Sequence, residues 1–90
     1  MKGRKIYNRI DILRKDMGMT RKDLAQKIGV NYQTIGYLER EEYTPSLDIA
    51  LRISEVFQLP VEFIFSTRPL PLLSKEILAR QKEMLNEEDN

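Results

Sequence analysis

Ninety residues allow one domain and leave no room for two, and 41% hydrophobic with 32% charged side chains is the balance of a folded globular chain. The absence of cysteine and histidine excludes disulfides, thiolate chemistry, His or Cys metal ligation and the commonest general base. The net charge of +1 hides a division, because residues 1–40 hold ten basic against four acidic side chains and residues 41–90 hold five against ten.

Ile6, Ile10, Leu13 and Met17 recur at helical spacing and predict a first helix over residues 6–17, with Arg9, Arg14 and Lys15 off its apolar face and Gly18 ending it. Thr20 reads as an N-cap with Asp23 in the capping-box place, opening a second helix through Leu24, Ala25 and Ile28 to Gly29. Asn31 caps a third, from Tyr32 to about Arg40, with Ile35 and Leu38 inward. Thr44-Pro45-Ser46 opens a fourth, whose apolar stripe is Leu47, Ala50, Leu51, Ile53 and Val56. Leu59-Pro60 starts a short fifth helix carrying Val61, Ile64 and Phe65.

No stretch alternates with period two for long enough to make a strand, so the predicted fold class is all-α. Two prolines, Pro69 and Pro71, mark a boundary. The expected organisation is a five-helix domain over 1–67 and an extension over 68–90, helical from about 74. Ser74 caps that last helix, Ile77, Leu78, Met84 and Leu85 line one side of it, and Glu87, Glu88, Asp89 and Asn90 form an acidic end. The extension is too short to fold alone, so it packs on its own domain, pairs with a second copy, binds a partner or stays mobile. Lys2, Arg4 and Lys5 precede no apolar run long enough for a signal peptide or a membrane span, which points to a cytoplasmic protein.

The most informative stretch runs from Arg21 to Glu39. Ala25 allows two helices to cross closely, Gly29 suits a turn with positive φ, Val30 plugs that turn, and Ile35 and Leu38 bury the inner side of the following helix. Two helices then meet steeply across a short turn and leave the outer face of the second exposed. In that register, residues 6–66 resemble the Cro and phage-repressor family of XRE-type helix-turn-helix transcriptional regulators, including Tyr43-Thr-Pro-Ser-Leu47 and Leu59-Pro-Val-Glu-Phe-Ile-Phe65.

The resemblance implies a sequence-specific regulator of double-stranded DNA, by default a repressor, acting as a homodimer with its third helix in the major groove. The base-reading positions would be Tyr32, Gln33, Gly36 and Tyr37. A Gln33 carboxamide can bond adenine N6 and N7, whereas an ordinary exposed glutamine is the plainer reading. Tyr32 and Tyr37 either touch a thymine methyl or a phosphate, or pack on neighbouring turns. Gly36 lacks a side chain at a position that often carries a reader, which leaves close approach or DNA shape to act there.

Phosphate contacts are expected from Arg21, Lys22, Arg40 and Arg9, from Thr20 and Asn31 at the helix starts, and from Thr34, Tyr43 and Thr44. Glu41 and Glu42 depart from the basic or small residues expected beside a phosphate track, and Glu39 is expected to pair with a basic group inside the domain. The basic half fits this reading as the footprint of a nucleic-acid binder, although charge alone allows two ordinary solvated surfaces as well.

Leu59, Val61, Phe63, Phe65, Leu70, Leu72 and Leu73 form the candidate dimer surface, unless they only complete the monomer core. Residues 69–90 are the candidate site for a protein partner, as in an antitoxin-like module. A third reading is a protein-binding adaptor that keeps the fold without touching DNA. No cofactor, metal or membrane is called for. Without histidine or a glycine-rich phosphate loop, and with carboxylates scattered over helix faces, catalysis has no constellation to rest on.

Overall fold

Caps written into the sequence set the starts of the helices. In the computed structural model, which describes residues 5–88, Thr20 Oγ accepts from Asp23 N–H at 3.0 Å and Asp23 Oδ2 accepts from Thr20 N–H at 2.9 Å. That reciprocal box opens α2 (Arg21–Ile28). Asn31 Oδ1 accepts from Gln33 N–H at 2.9 Å to open α3 (Tyr32–Glu39), and Ser46 Oγ accepts from Ile49 N–H at 3.1 Å to open α4 (Leu47–Phe57). A first helix, α1 (Ile10–Asp16), precedes them, and α5 (Val61–Ile64) and α6 (Lys75–Glu88) follow.

Gly29 ends α2 at φ 75°, ψ 38°, and its N–H and that of Val30 both bond to Ala25 carbonyl, so two successive N–H groups share one acceptor and close the turn tightly. Arg52 of α4 reaches into the same turn and donates to Ile28 carbonyl at 3.0 Å. The turn between α2 and α3 is thus closed by backbone on one side and by a guanidinium on the other. Ile10, Leu13, Leu24, Ile28, Ile35, Leu38, Ile53 and Ile64 are fully buried and join α1 through α5 in one core. Each side chain of that size contributes about 1.5–3 kcal/mol on burial.

The structure corrects the sequence reading at its edges. Residues 6–9 are not helical, because Asn8, just before the Arg9 N-cap, turns the chain into α1: its Oδ1 accepts from Ile10 N–H at 3.0 Å while its Nδ2 donates to Leu38 carbonyl at 2.7 Å. The chain before it is extended, and β1 (Tyr7–Asn8) pairs antiparallel with β2 (Phe65–Ser66), Tyr7 opposite Ser66 and Asn8 opposite Phe65. Among the described residues the fold is therefore the expected helical one, six helices, with a small two-stranded ribbon added to it. Strands of two residues are too short for an alternating pattern to register.

Met17 lies beyond the end of α1 and is exposed, and Leu47 and Leu51 face water on α4; Met19 and Phe57 take buried places instead. Arg14, placed off the apolar face, is buried at 8% relative exposure. Leu59 and Phe65, expected on a dimer surface, belong to the core at 3% and 9% exposure. Both follow turns that direct them inward, Leu59 after the C-cap of α4 and Phe65 in the ribbon.

Ser74 Oγ accepts from Ile77 N–H at 3.1 Å and starts α6. Leu78 is buried against the domain, Leu73 and Leu85 are partly buried, and Lys82 pairs with Asp16 at 3.1 Å. Lys2, Arg4, Asp89 and Asn90, named above for charge and for the acidic end, lie outside the described residues. No helix among the described residues is long and apolar enough to cross a membrane.

Two predictions follow from the caps and the turn. Gly29→Ala places a Cβ at left-handed φ and should lower stability by about 1–2 kcal/mol in urea denaturation. Asp23 is held below the usual carboxylate pKa, chiefly by the N–H of Thr20. Its contribution is therefore complete above its unfolded pKa of about 3.9 and is lost as pH falls through the lower folded value. The urea midpoint should decline less steeply below about pH 4 in Asp23→Asn than in the parent.

Candidate nucleic-acid interface

The outer face of α3 is built around one carboxylate beneath it. Glu39 has a side chain only 3% exposed and holds two arginines, accepting from Arg14 Nε at 2.8 Å and from Arg21 Nε at 2.9 Å. Arg14 also donates to Met19 carbonyl at 2.8 Å and to Asp11 Oδ1 at 3.0 Å, so α1, the start of α2 and the end of α3 share one network. The hydrogen bond to Glu39 raises the Arg14 pKa above the usual arginine value, against the opposing effect of burial. The expected internal partner of Glu39 is thus a pair of partners, one of them a buried arginine.

Above this network, Arg21, Tyr32, Gln33, Gly36, Tyr37 and Arg40 line a shallow recess of about 200 Å³. Gln33 is exposed, and Tyr32 and Tyr37 are each about half exposed at 48%. Lys22 Nζ sits 5.5 Å from the Tyr32 ring centre, and the Arg40 guanidinium sits 5.2 Å from that of Tyr37. The basic and aromatic residues therefore meet in contact pairs that bridge α2 to α3 and the end of α3 to its middle. Gly36 is buried, and a Cβ built there would meet Arg40 Nη1 at 3.2 Å and Arg21 Nη1 at 3.8 Å.

A neighbouring groove is lined by Val30, Thr34, Tyr37, Glu42, Tyr43 and Ile49, which sets Thr34 and Tyr43 on the flank of the same face. Thr44 is exposed beside them in the chain. Thr20 and Asn31 are engaged as helix caps through their side-chain oxygens. Arg9 lies elsewhere: it donates to Phe63 carbonyl at 3.0 Å and Pro71 carbonyl at 3.3 Å, and stacks on the Phe63 ring at 4.6 Å. Burial lowers its pKa from the usual arginine value. Its expected phosphate role is corrected accordingly, because the guanidinium ties the ribbon region to the extension.

The two unexpected acidic residues turn out to have local partners. Glu42 Oε1 accepts from Arg40 Nε at 2.9 Å, and Glu41, at φ 62°, lies 3.4 Å from Lys5. Sequence reasoning missed the places of Arg14 and Arg52 and the pairing of Glu42 with Arg40. The only signal for Arg14 and Arg52 was a carboxylate three or four residues earlier, Asp11 and Asp48, which an exposed helix face shows equally well. Among the described residues, no group of three His, Cys, Asp or Glu side chains is placed to hold a metal ion.

A family model described as helix-turn-helix matches residues 10–64. The chain belongs to the helix-turn-helix family. An uncharacterized HTH-type transcriptional regulator of Archaeoglobus fulgidus is 44% identical over 57 residues, covering 63% of this chain and 81% of that protein. Another from Methanocaldococcus jannaschii is 40% identical over 58 residues, with 64% and 88% covered. The Bacillus subtilis regulator YgzD is 34% identical over 58 residues with the same shares, 64% and 88%. Among solved structures, a proposed DNA-binding protein from Bacteroides fragilis superposes with a TM-score of 0.62 at 23% identity, over 68% of this chain and 98% of that one, which is a likeness of fold. The helix-turn-helix family is one of DNA-binding transcriptional regulators, and this member is a DNA-binding module rather than an enzyme.

Removing Glu39 leaves Arg14 buried with only Asp11 to answer its charge. Glu39→Ala should destabilise the domain by roughly 3 kcal/mol or more, read from chemical denaturation at neutral pH.

Proposed function

We propose that the protein is a sequence-specific repressor that binds double-stranded DNA as a homodimer, with α3 in the major groove. The observation that carries this reading is the recess on the outer face of α3, where Gln33, Tyr32 and Tyr37 stand exposed between the guanidiniums of Arg21 and Arg40. Exposed planar groups set among cations suit a surface that meets stacked bases and phosphates together.

Gln33 is the adenine reader, donating to N7 and accepting from N6–H through one carboxamide. Tyr32 and Tyr37 contact thymine methyls or the sugar-phosphate edge, and Gly36 lets the backbone of α3 approach. Arg21 and Lys22 at the start of α2, with Thr20, Asn31, Thr34, Tyr43 and Thr44 around the rim, hold phosphates. An eight-residue recognition helix reaches too few base pairs for genomic specificity, which two copies on a pseudo-palindrome supply. With Leu59 and Phe65 in the core, the proposed dimer contacts reduce to Val61, Phe63, Leu70 and Leu72, of which Leu72 is 96% exposed.

The test is fluorescence anisotropy of duplexes across a salt series, beside sedimentation of the free protein. Gln33→Ala should relax selectivity at one operator position and cost roughly 1–3 kcal/mol on the preferred site. Lys22→Ala should weaken all duplexes alike and lower the log-log salt slope by about 0.9. Absence of binding at low salt would end the DNA reading, and a free monomer that also binds operator singly would end the dimer.

A further inference from the structure

Gly36 stands at the centre of the outer face of α3, yet it is buried, and the atoms nearest to its missing Cβ are two guanidinium nitrogens. Residues 33, 36, 37 and 40 are spaced i, i+3, i+4 and i+7, so Arg40 shares one stripe with Gln33. Helical side chains lean toward the N-terminus, and that lean carries the Arg40 guanidinium back over Gly36, about one turn nearer the reading end of α3 than its own Cα. A Cβ at position 36 would stand 3.2 Å from Arg40 Nη1, tighter than ordinary van der Waals contact, so the guanidinium would have to shift by a few tenths of an ångström to keep its place.

Arg40 is also held there. Glu42 Oε1 takes its Nε at 2.9 Å, and the Tyr37 ring lies 5.2 Å from its Cζ. Its two terminal nitrogens have no hydrogen-bond partner among the described residues. Arg21 is arranged alike, with Nε on Glu39 and Nη1 toward Gly36. Two forks held at Nε by carboxylates thus converge on the space above Gly36, a place where an electron-rich group would be favoured.

We propose that Arg40 is a base reader selecting guanine, its terminal nitrogens donating to O6 and N7, with Glu42 and Tyr37 as its positioning residues and Gly36 as the space that admits it. This rests on α3 being the groove-facing helix. A planar fork matches the two acceptors of guanine in a fixed geometry, whereas a lysine ammonium reaches them from a flexible stem with rotatable donors. The acidic residue beside the phosphate track thereby acquires a role: Glu42 aims a cation, rather than repelling the backbone.

The experiment is selection of binding sites from a random duplex pool by the parent, Gln33→Ala, Arg40→Lys, Arg40→Ala and Glu42→Gln, followed by affinities on the selected site. Arg40 is half exposed, so these variants should fold. The parent should prefer guanine at one position by roughly 5- to 150-fold. Arg40→Ala should lose that preference, Arg40→Lys should keep only part of it with an unchanged salt slope, and Glu42→Gln should lose part of it. Replacing that guanine by 7-deazaguanine should weaken the parent and leave Arg40→Ala unaffected.

Retention of the guanine preference by Arg40→Ala, or uniform weakening of that variant on all duplexes, would overturn the assignment and return Arg40 to the phosphate contacts. In that case Gln33→Ala would still alter its own position. If neither Gln33→Ala nor Arg40→Ala changes any position of a selective parent, α3 does not read the groove and both proposals fall together.

Discussion

One carboxylate under the outer face of α3 organises much of this molecule. Glu39 is almost wholly withdrawn from water, and two arginines from different helices converge on its two oxygens. A buried ion pair contributes little net stability compared with an apolar substitute, because desolvating both charges offsets their attraction. What it contributes here is direction. Arg14 is drawn inward, where its remaining donors meet Met19 carbonyl and Asp11, while Arg21 is held by Nε alone and keeps its terminal nitrogens on the outer face. The same residue therefore fastens α1 to α3 from within and arms the surface from without.

The turn between α2 and α3 is the second constraint. Ala25 and Gly29 allow the helices to approach and the chain to reverse, and Arg52 from α4 supplies the donor that the end of α2 lacks. Asn8 does the corresponding work at the other end of α3, bonding Leu38 carbonyl while it starts α1. The turn before α3 and the end of α3 are thus each tied by a polar side chain from a distant part of the chain. The outer face of α3 lies between these ties and stays exposed.

The extension shows a different balance. Leu78 inserts into the core and Lys82 reaches Asp16, yet Ile77 and Met84 remain about half exposed on the same helix. The segment is held at a few points over the start of the domain, with Arg9 binding Pro71 carbonyl as one of them. The ribbon, with the bond from Arg9 N–H to Ile64 carbonyl, ties the start of α1 to the end of α5.

Much of this was legible in the chain itself. Thr20, Asn31, Ser46 and Ser74 cap helices because a short polar side chain next to an apolar-periodic run satisfies N–H groups that nothing else nearby can reach. Gly29 and the inward places of Ala25, Ile35 and Leu38 follow equally from local geometry. These interactions span a few residues, so sequence alone determined the helices, the turn and the outward stripe of α3. Tertiary structure decided the rest: that Arg14 goes inside, that Arg9 turns to Phe63 and Pro71, that Leu59 and Phe65 are core, that Asn8 and Phe65 meet in a ribbon, and that two guanidiniums cover Gly36. An arginine is compatible with solvent, a phosphate or a buried carboxylate, and which one it meets depends on groups as many as 62 residues away. No periodicity within a single helix carries that information.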